Sequence, residues 1–167
     1  MFYKVEKITN RDSPEVVKLI LGIQQKEFNL PITAEDQPDL LNIEECYIRP
    51  GGGFWGVFQN QDLIGTIGLL NAANEYGVIR KMFVHPQFRG KDLGIAQMLL
   101  TNLITYSRAI GKRYIFLGTI DILKAAIKFY ERNGFVMIQK HELPDSFPQM
   151  NVDNVFYKLP LTPEIPG

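Results

Sequence analysis

Cysteine is nearly absent from this chain: Cys46 is the only one in 167 residues. A single thiol excludes an internal disulfide framework. With only two histidines, His85 and His141, no Cys/His cluster has metal-ligand spacing, so no metal is expected. Cys46 itself reads as a small, partly buried side chain rather than a nucleophile. There is no excess of charge either, since 18 Lys and Arg balance 18 Asp and Glu. Proteins that live on nucleic acid or anionic lipid carry a basic surplus, so neither partner is expected. No run approaches the roughly 20 apolar residues of a membrane span. The opening MFYKVEKITN holds no apolar core of signal-peptide length. A soluble cytoplasmic protein is the expectation.

What is present is an ordinary globular composition, 46% apolar and 22% charged. A chain of this length buries roughly 70% of its unfolded surface without staples. We expect one domain over residues 1–160 and a loose proline-rich tail over 161–167.

The elements alternate. Phe2 to Ile8 reads as a strand. Asp12 or Ser13 offers an N-cap with Pro14 behind it, and Val17, Ile20, Leu21, Gln24 and Phe28 follow at helical spacing. Leu30 to Ile43 is acidic and proline-interrupted, with room for a short second helix. After Pro50-Gly51-Gly52-Gly53 come two apolar runs, Phe54 to Gln59 and Leu63 to Asn71, parted by Asn60-Gln61-Asp62 as in a hairpin. Val78 to Val84 adds a third strand. These turns are too short for crossovers, so the meander is antiparallel. A second helix carries Ile95, Leu99, Leu103, Tyr106 and Ile110 on one face and ends at Gly111. Tyr114 to Leu117 is a buried strand. A further helix holds Ile122, Ala125, Ala126, Phe129 and Tyr130. Phe135 to Gln139 and Asn154 to Leu159 complete the sheet. The order is β-α-(α)-β-β-β-α-β-α-β-β. This is an α+β fold with a mixed, mostly antiparallel sheet of six or seven strands and about four flanking helices.

Chemistry concentrates in Val84-His85-Pro86-Gln87-Phe88-Arg89-Gly90-Lys91-Asp92-Leu93-Gly94-Ile95-Ala96. Here a strand runs through a loop into a helix N-terminus, whose amides lack internal partners and carry partial positive charge. That is an anion site. Gly90 and Gly94 have no Cβ to obstruct a ligand. From Ile79 to Arg113 there are seven Lys or Arg and one acidic residue, Asp92. The P-loop pattern fails because no Ser/Thr follows Lys91, and Gly-x-Gly-x-x-Gly is absent.

The segment VHPQFRGKDLGIAQMLL resembles the acyl-CoA-binding motif of the GNAT superfamily of N-acetyltransferases, Gln/Arg-x-x-Gly-x-Gly/Ala, read here as Arg89-Gly90-Lys91-Asp92-Leu93-Gly94. Asp92 stands in the first glycine position. AAIKFYERNGF, Ala125 to Phe135, resembles the family's later motif. The element order is also similar to the family's.

The resemblance implies an N-acetyltransferase that moves an acetyl group from acetyl-CoA to a primary amine. Attack is direct, in a ternary complex, and a chain without a nucleophile constellation is consistent with it. It implies that Met82, Phe83, Val84, Arg89, Gly90, Lys91, Asp92, Leu93, Gly94, Ile95, Ala96 and Tyr130 hold coenzyme A. A backbone amide near Phe83 or Val84 would meet the oxyanion. The pantetheine arm would lie where this strand and Tyr114 to Leu117 splay. Tyr130 is the candidate general acid to the leaving thiolate, since a phenol of pKa ~10 can hydrogen-bond it; the residue also continues an apolar face. Val78 and Leu123 stand where the family often has Glu and Asn. Glu75, three residues before Val78 at the turn, is a weak candidate base acting through water and reads equally as a solvated turn residue; Glu44, Glu45 and Asp121 are weaker candidates still. Glu27, Glu35, Asp36, Asp39, Glu44 and Glu45 make the first region acidic, which suits either a cationic small-molecule or peptide amine acceptor or simply a solvated face. A homodimer across the last strand is compatible with the pattern. The alternative is a domain of the same fold that binds acyl-CoA as a sensor or interaction module and transfers nothing.

Overall fold

The computed structural model describes residues 3–150 and 152–161. Seven strands form one sheet: β1 (Val5–Lys7), β2 (Gly53–Gln59), β3 (Asp62–Leu70), β4 (Tyr76–Val84), β5 (Tyr114–Thr119), β6 (Val136–Ile138) and β7 (Val155–Pro160). Their order across the sheet is β1-β2-β3-β4-β5-β7-β6. β4 and β5 run parallel; the pairs β1–β2, β2–β3, β5–β7 and β6–β7 are antiparallel. The expected order of elements and the mixed, mostly antiparallel sheet are both present.

The helices are α1 (Ser13–Leu21), α2 (Ile95–Ala109) and α3 (Lys124–Arg132). α1 does not stop at Leu21 but widens into a π-helical turn, Gly22–Glu27. The short second helix expected between 30 and 43 is instead a 3₁₀ turn at Pro38–Leu41, followed by a π-helical turn at Glu44–Ile48. Two apolar residues fall outside their expected helices. Ile110 lies past the end of α2 and Ile122 before the start of α3, and both are exposed. Ser107 takes up the buried position on α2 instead.

The chain divides into two compact units, one reaching from the N-terminus to Leu70 and including Arg80–Thr105, the other comprising Asn71–Ile79 and everything from Tyr106 onward. In the first, α1 lays Val16, Leu19, Ile20 and Ile23 against Ile8, Tyr47, Phe54 and Leu63. Each such side chain contributes roughly 1.5–3 kcal/mol when fully buried. The β2–β3 hairpin turns at Asn60, whose φ of 57° is the left-handed conformation that asparagine tolerates. β3 is buried along almost its whole length. Its Gly65 is a point of close approach: a Cβ there would lie 3.1 Å from both Ile95 and Leu99. Glycine thus lets the start of α2 settle onto the strand.

In the second unit β5 pairs with β7 over all six of its residues, but its ladder with β4 covers only Tyr76–Val78 against Tyr114–Phe116. Leu117, Gly118 and Thr119 run beyond that ladder. Lys112 closes the turn before β4 by donating to Asn71 Oδ1 and to the Asn74 carbonyl. Leu161 belongs to the folded part, not to a loose tail: it is buried and its amide donates to the Arg113 carbonyl at 2.8 Å. Phe2 of the expected first strand and Thr162 to Gly167 of the expected tail lie outside the described residues.

Candidate functional site

β4 contains a departure from regular strand geometry. Lys81 has φ 53°, a left-handed conformation that is uncommon for a residue with a long side chain. Thr66 Oγ1 donates to the Lys81 carbonyl at 2.7 Å, which ties the kink to β3. The Lys81 side chain is only 6% exposed. Its Nζ donates to Gln37 Oε1 at 2.6 Å and lies 3.8 Å from Asp39 Oδ2. Asp39 also accepts from the Tyr47 hydroxyl at 2.6 Å, and Gln37 exchanges hydrogen bonds with Gln24. A buried polar group needs partners of this kind. Sequence reasoning missed this network, because nothing in a local pattern links positions 24, 37, 39, 47 and 81.

The loop after β4 is built from short local bonds. The His85 amide donates to the Ile64 carbonyl at 2.8 Å. His85 Nδ1 accepts from the Gln87 amide at 3.1 Å, capping a single 3₁₀ turn at Pro86–Phe88. Gly90 and Gly94 have φ of 114° and 67°. Glycine takes both angles without strain, and the 114° at Gly90 lies well outside the left-handed region that asparagine tolerates. A Cβ at Gly90 would meet nothing within 4 Å, so the loop leaves an open approach. The Gly94 amide donates to the Gly90 carbonyl at 3.2 Å, and Met98 donates to Gly94 at 3.0 Å. The amides of Ile95 and Ala96 come before that helical ladder and have no partner among the described residues. They are the orphan donors of a helix start, and they belong to a helix anchored by the fully buried Ile95 and Leu99.

Arg89 does not extend freely into this loop. Its Nε donates to the Val84 carbonyl at 2.8 Å, and its two Nη atoms donate to Glu27 at 2.6 and 2.7 Å. The guanidinium thus braces the loop against the π-helical turn at the end of α1. Lys91, Asp92 and Leu93 are exposed, so Asp92 has solvent to point into. Met82, Phe83 and Val84 are half-buried on β4.

In the second unit Tyr130 is buried near the end of α3, with ring centroids 5.5 Å from Phe135, 5.9 Å from Phe129 and 6.5 Å from Tyr157. Burial, and secondarily the negative charge of Asp153, hold this phenol well above its ordinary range, so it stays protonated. Glu75 sits in the turn before β4, exposed, 3.4 Å from the guanidinium of Arg113.

The acids of the first region are largely committed to bonds within the protein. Glu27 holds Arg89, Asp39 holds Tyr47, and Asp36 accepts from the Thr33 amide and hydroxyl. Glu44 accepts from the Asn10 amide. Glu27 and Asp39 are thus paired with the cations Arg89 and Lys81, whereas Asp36 and Glu44 accept bonds from neutral groups. Cys46 is exposed rather than partly buried, and desolvation together with Asp39 and Glu45 raises its thiol pKa, which disfavours the thiolate. Among the described residues there is no cluster of three or more metal-ligating side chains, and no helix long and apolar enough to cross a membrane.

Residues 18–135 match the model of the acetyltransferase (GNAT) family. An acetyltransferase of the GNAT family from Staphylococcus aureus MU50 shares 39% identity, covers 96% of this chain and 100% of its own, and superposes with a TM-score of 0.92. The N-acetyltransferase YjgM of Escherichia coli strain K12 is 27% identical over 139 residues, 78% of this chain and 80% of that protein. The structure of yncA from Salmonella typhimurium with its cofactor acetyl-CoA has the same fold, at 17% identity and a TM-score of 0.74, covering 100% of this chain and 98% of that one.

Proposed function

Because the chain belongs to the GNAT acetyltransferase family and is an N-acetyltransferase, we propose that it carries an acetyl group from acetyl-CoA to a primary amine by direct attack within a ternary complex. The observation that carries this reading is the Gly90–Gly94 loop. Two left-handed glycines open it, and the unpartnered amides of Ile95 and Ala96 stand at its end. Amides in that position favour a diphosphate through their hydrogen bonds and through the helix dipole. Arg89 contributes by shaping the loop, since Glu27 already occupies its guanidinium. Lys91 supplies positive charge from an exposed position, and the side chain of Asp92 turns to water.

The half-buried backbone of Met82, Phe83 and Val84 is the proposed strand for the pantetheine arm and for the developing oxyanion. Amide donors aimed at forming charge are among the strongest catalytic devices. Tyr130 is proposed to serve the leaving thiolate. Its raised pKa means that it stays neutral and acts chiefly as a hydrogen-bond donor, easing C–S cleavage while the sulfur gains its proton.

A second reading has one observation in its favour. Val78, the position at which the family resemblance leads one to expect Glu, is fully buried, so β4 supplies no carboxylate there. That would suit a domain that binds acyl-CoA without transferring it. Thiol release from acetyl-CoA with a panel of primary amines, run beside thermal shift with coenzyme A, separates the two. Stabilisation with amine-dependent thiol release supports transfer. Stabilisation without release supports the binding module, and neither response contradicts both.

A further inference from the structure

Direct attack requires the acceptor nitrogen to lose a proton before its lone pair can reach the thioester, because an alkylamine is cationic near neutral pH. The second unit, which holds Tyr130, also contains a carboxylate in a built position, against Gly118 of β5. Gly118 lies in the part of β5 that runs past the β4 ladder, and it is half-exposed. A Cβ there would fall 2.5 Å from Asp153 Oδ2 and 3.1 Å from the Phe156 ring. The carboxylate therefore rests on bare backbone, and only glycine makes room for it.

The turn carrying Asp153 is pinned on both sides. The Asp153 amide donates to the Met150 carbonyl at 3.1 Å, and the Asn154 amide donates to the Thr119 carbonyl at 2.9 Å. Asn154 Oδ1 in turn accepts from the Asp121 amide at 2.9 Å. Among the described residues, Asp153 is also a charged side chain that adds to the upward shift of the Tyr130 phenol, after burial.

Resting on the transfer reading, we propose that Asp153 is the catalytic base, taking the proton of a primary alkylammonium acceptor. In the balanced step the ammonium N–H bond breaks and its proton passes to the Asp153 carboxylate. The freed nitrogen lone pair forms the N–C bond to the thioester carbon. The C–S bond breaks with its electron pair going to sulfur. The nitrogen's second proton ends on that sulfur, and Asp153 returns its own proton to solvent. A carboxylate at this place would also attract a cationic amine without the acidic N-terminal region.

The test compares wild type, Asp153→Asn and Gly118→Ala at pH 7.5 with two acceptor sets. One set is primary alkylamines, protonated at that pH. The other is arylamines and semicarbazide, already neutral and in no need of a base. Asp153→Asn is expected to lower kcat on alkylamines about 100-fold or more, but on the neutral amines by less than about 5-fold. Gly118→Ala, which displaces the carboxylate, should follow the same pattern. The KM for acetyl-CoA should stay within about 3-fold in both. A uniform loss across the two sets, or no loss, overturns the base while leaving the transfer reading intact. Wild type that binds coenzyme A yet turns over no amine overturns both together.

Discussion

Arg89 and Glu27 stand 62 positions apart in the chain and meet in a two-pronged ion pair, with Nη–Oε distances of 2.6 and 2.7 Å. Planar forks of this kind fix geometry as well as charge. The pair joins the end of α1 to the candidate pyrophosphate loop. Since both side chains are about a third exposed, its share of global stability is small, about 0.5–1 kcal/mol. Its effect belongs on the ligand. Glu27→Ala and Arg89→Ala should each weaken coenzyme A binding by about 10-fold, and the double variant by little more than either alone. Calorimetric titration of all four proteins gives the coupling, and strict additivity would count against a shared role.

Tyr130→Phe keeps the ring packing against Phe135 and Phe129 and removes only the hydroxyl. Thermal stability near pH 7 should change by less than about 0.5 kcal/mol. Thiol release with an active amine should drop by about 100-fold in kcat, with little change in the KM for acetyl-CoA. An unaltered kcat would return Tyr130 to a purely packing role.

Tyr47, Tyr130 and Tyr157 all have raised pKa values, chiefly through burial. In the unfolded chain they titrate near ~10. The folded state therefore holds their protons more tightly than the unfolded state does. Their neutral forms leave stability intact below about pH 10, and it falls as pH rises above that toward the folded-state values. Urea unfolding at pH 8 and pH 10.5 should show the decline, and Tyr130→Phe should lessen it.

Lys81→Met leaves Asp39 and Gln37 without their cation and should destabilise the fold by about 2–3 kcal/mol. Lys81→Gly relieves the left-handed backbone but also removes the Nζ bonds. If the kink dominated, the glycine variant would be as stable as wild type. The network predicts that it is destabilised too, though less than the methionine variant.

The succession of strands and helices was legible because short turns, Gly/Pro breaks and apolar periods are local signals. The Arg89–Gly94 segment was legible for the same reason: a strand, two glycines and a helix start occupy a dozen consecutive residues. What stayed hidden depends on contacts distant in sequence. Nothing near Arg89 announces Glu27, and nothing near Lys81 announces Gln37 or Asp39. Asp153 sits in a loop of unremarkable composition, and the only trace of its placement is a glycine in the apolar β5. Helix ends were read less well. Ile110 and Ile122 continue their apolar stripes in sequence, but α2 ends at Ala109, just before the left-handed Gly111 (φ 84°), and α3 begins only after its N-cap Leu123 (ψ 65°).

The central claim is that amides at the start of α2 hold the diphosphate of coenzyme A. Ala96→Pro deletes one such donor at a first-turn position where helices accept proline. A hydrogen bond to a charged group contributes about 1.5–3 kcal/mol, so calorimetric titration should show coenzyme A binding at least about 10-fold weaker than wild type, with the fold unchanged by circular dichroism. Equal affinity in the two proteins would contradict the claim.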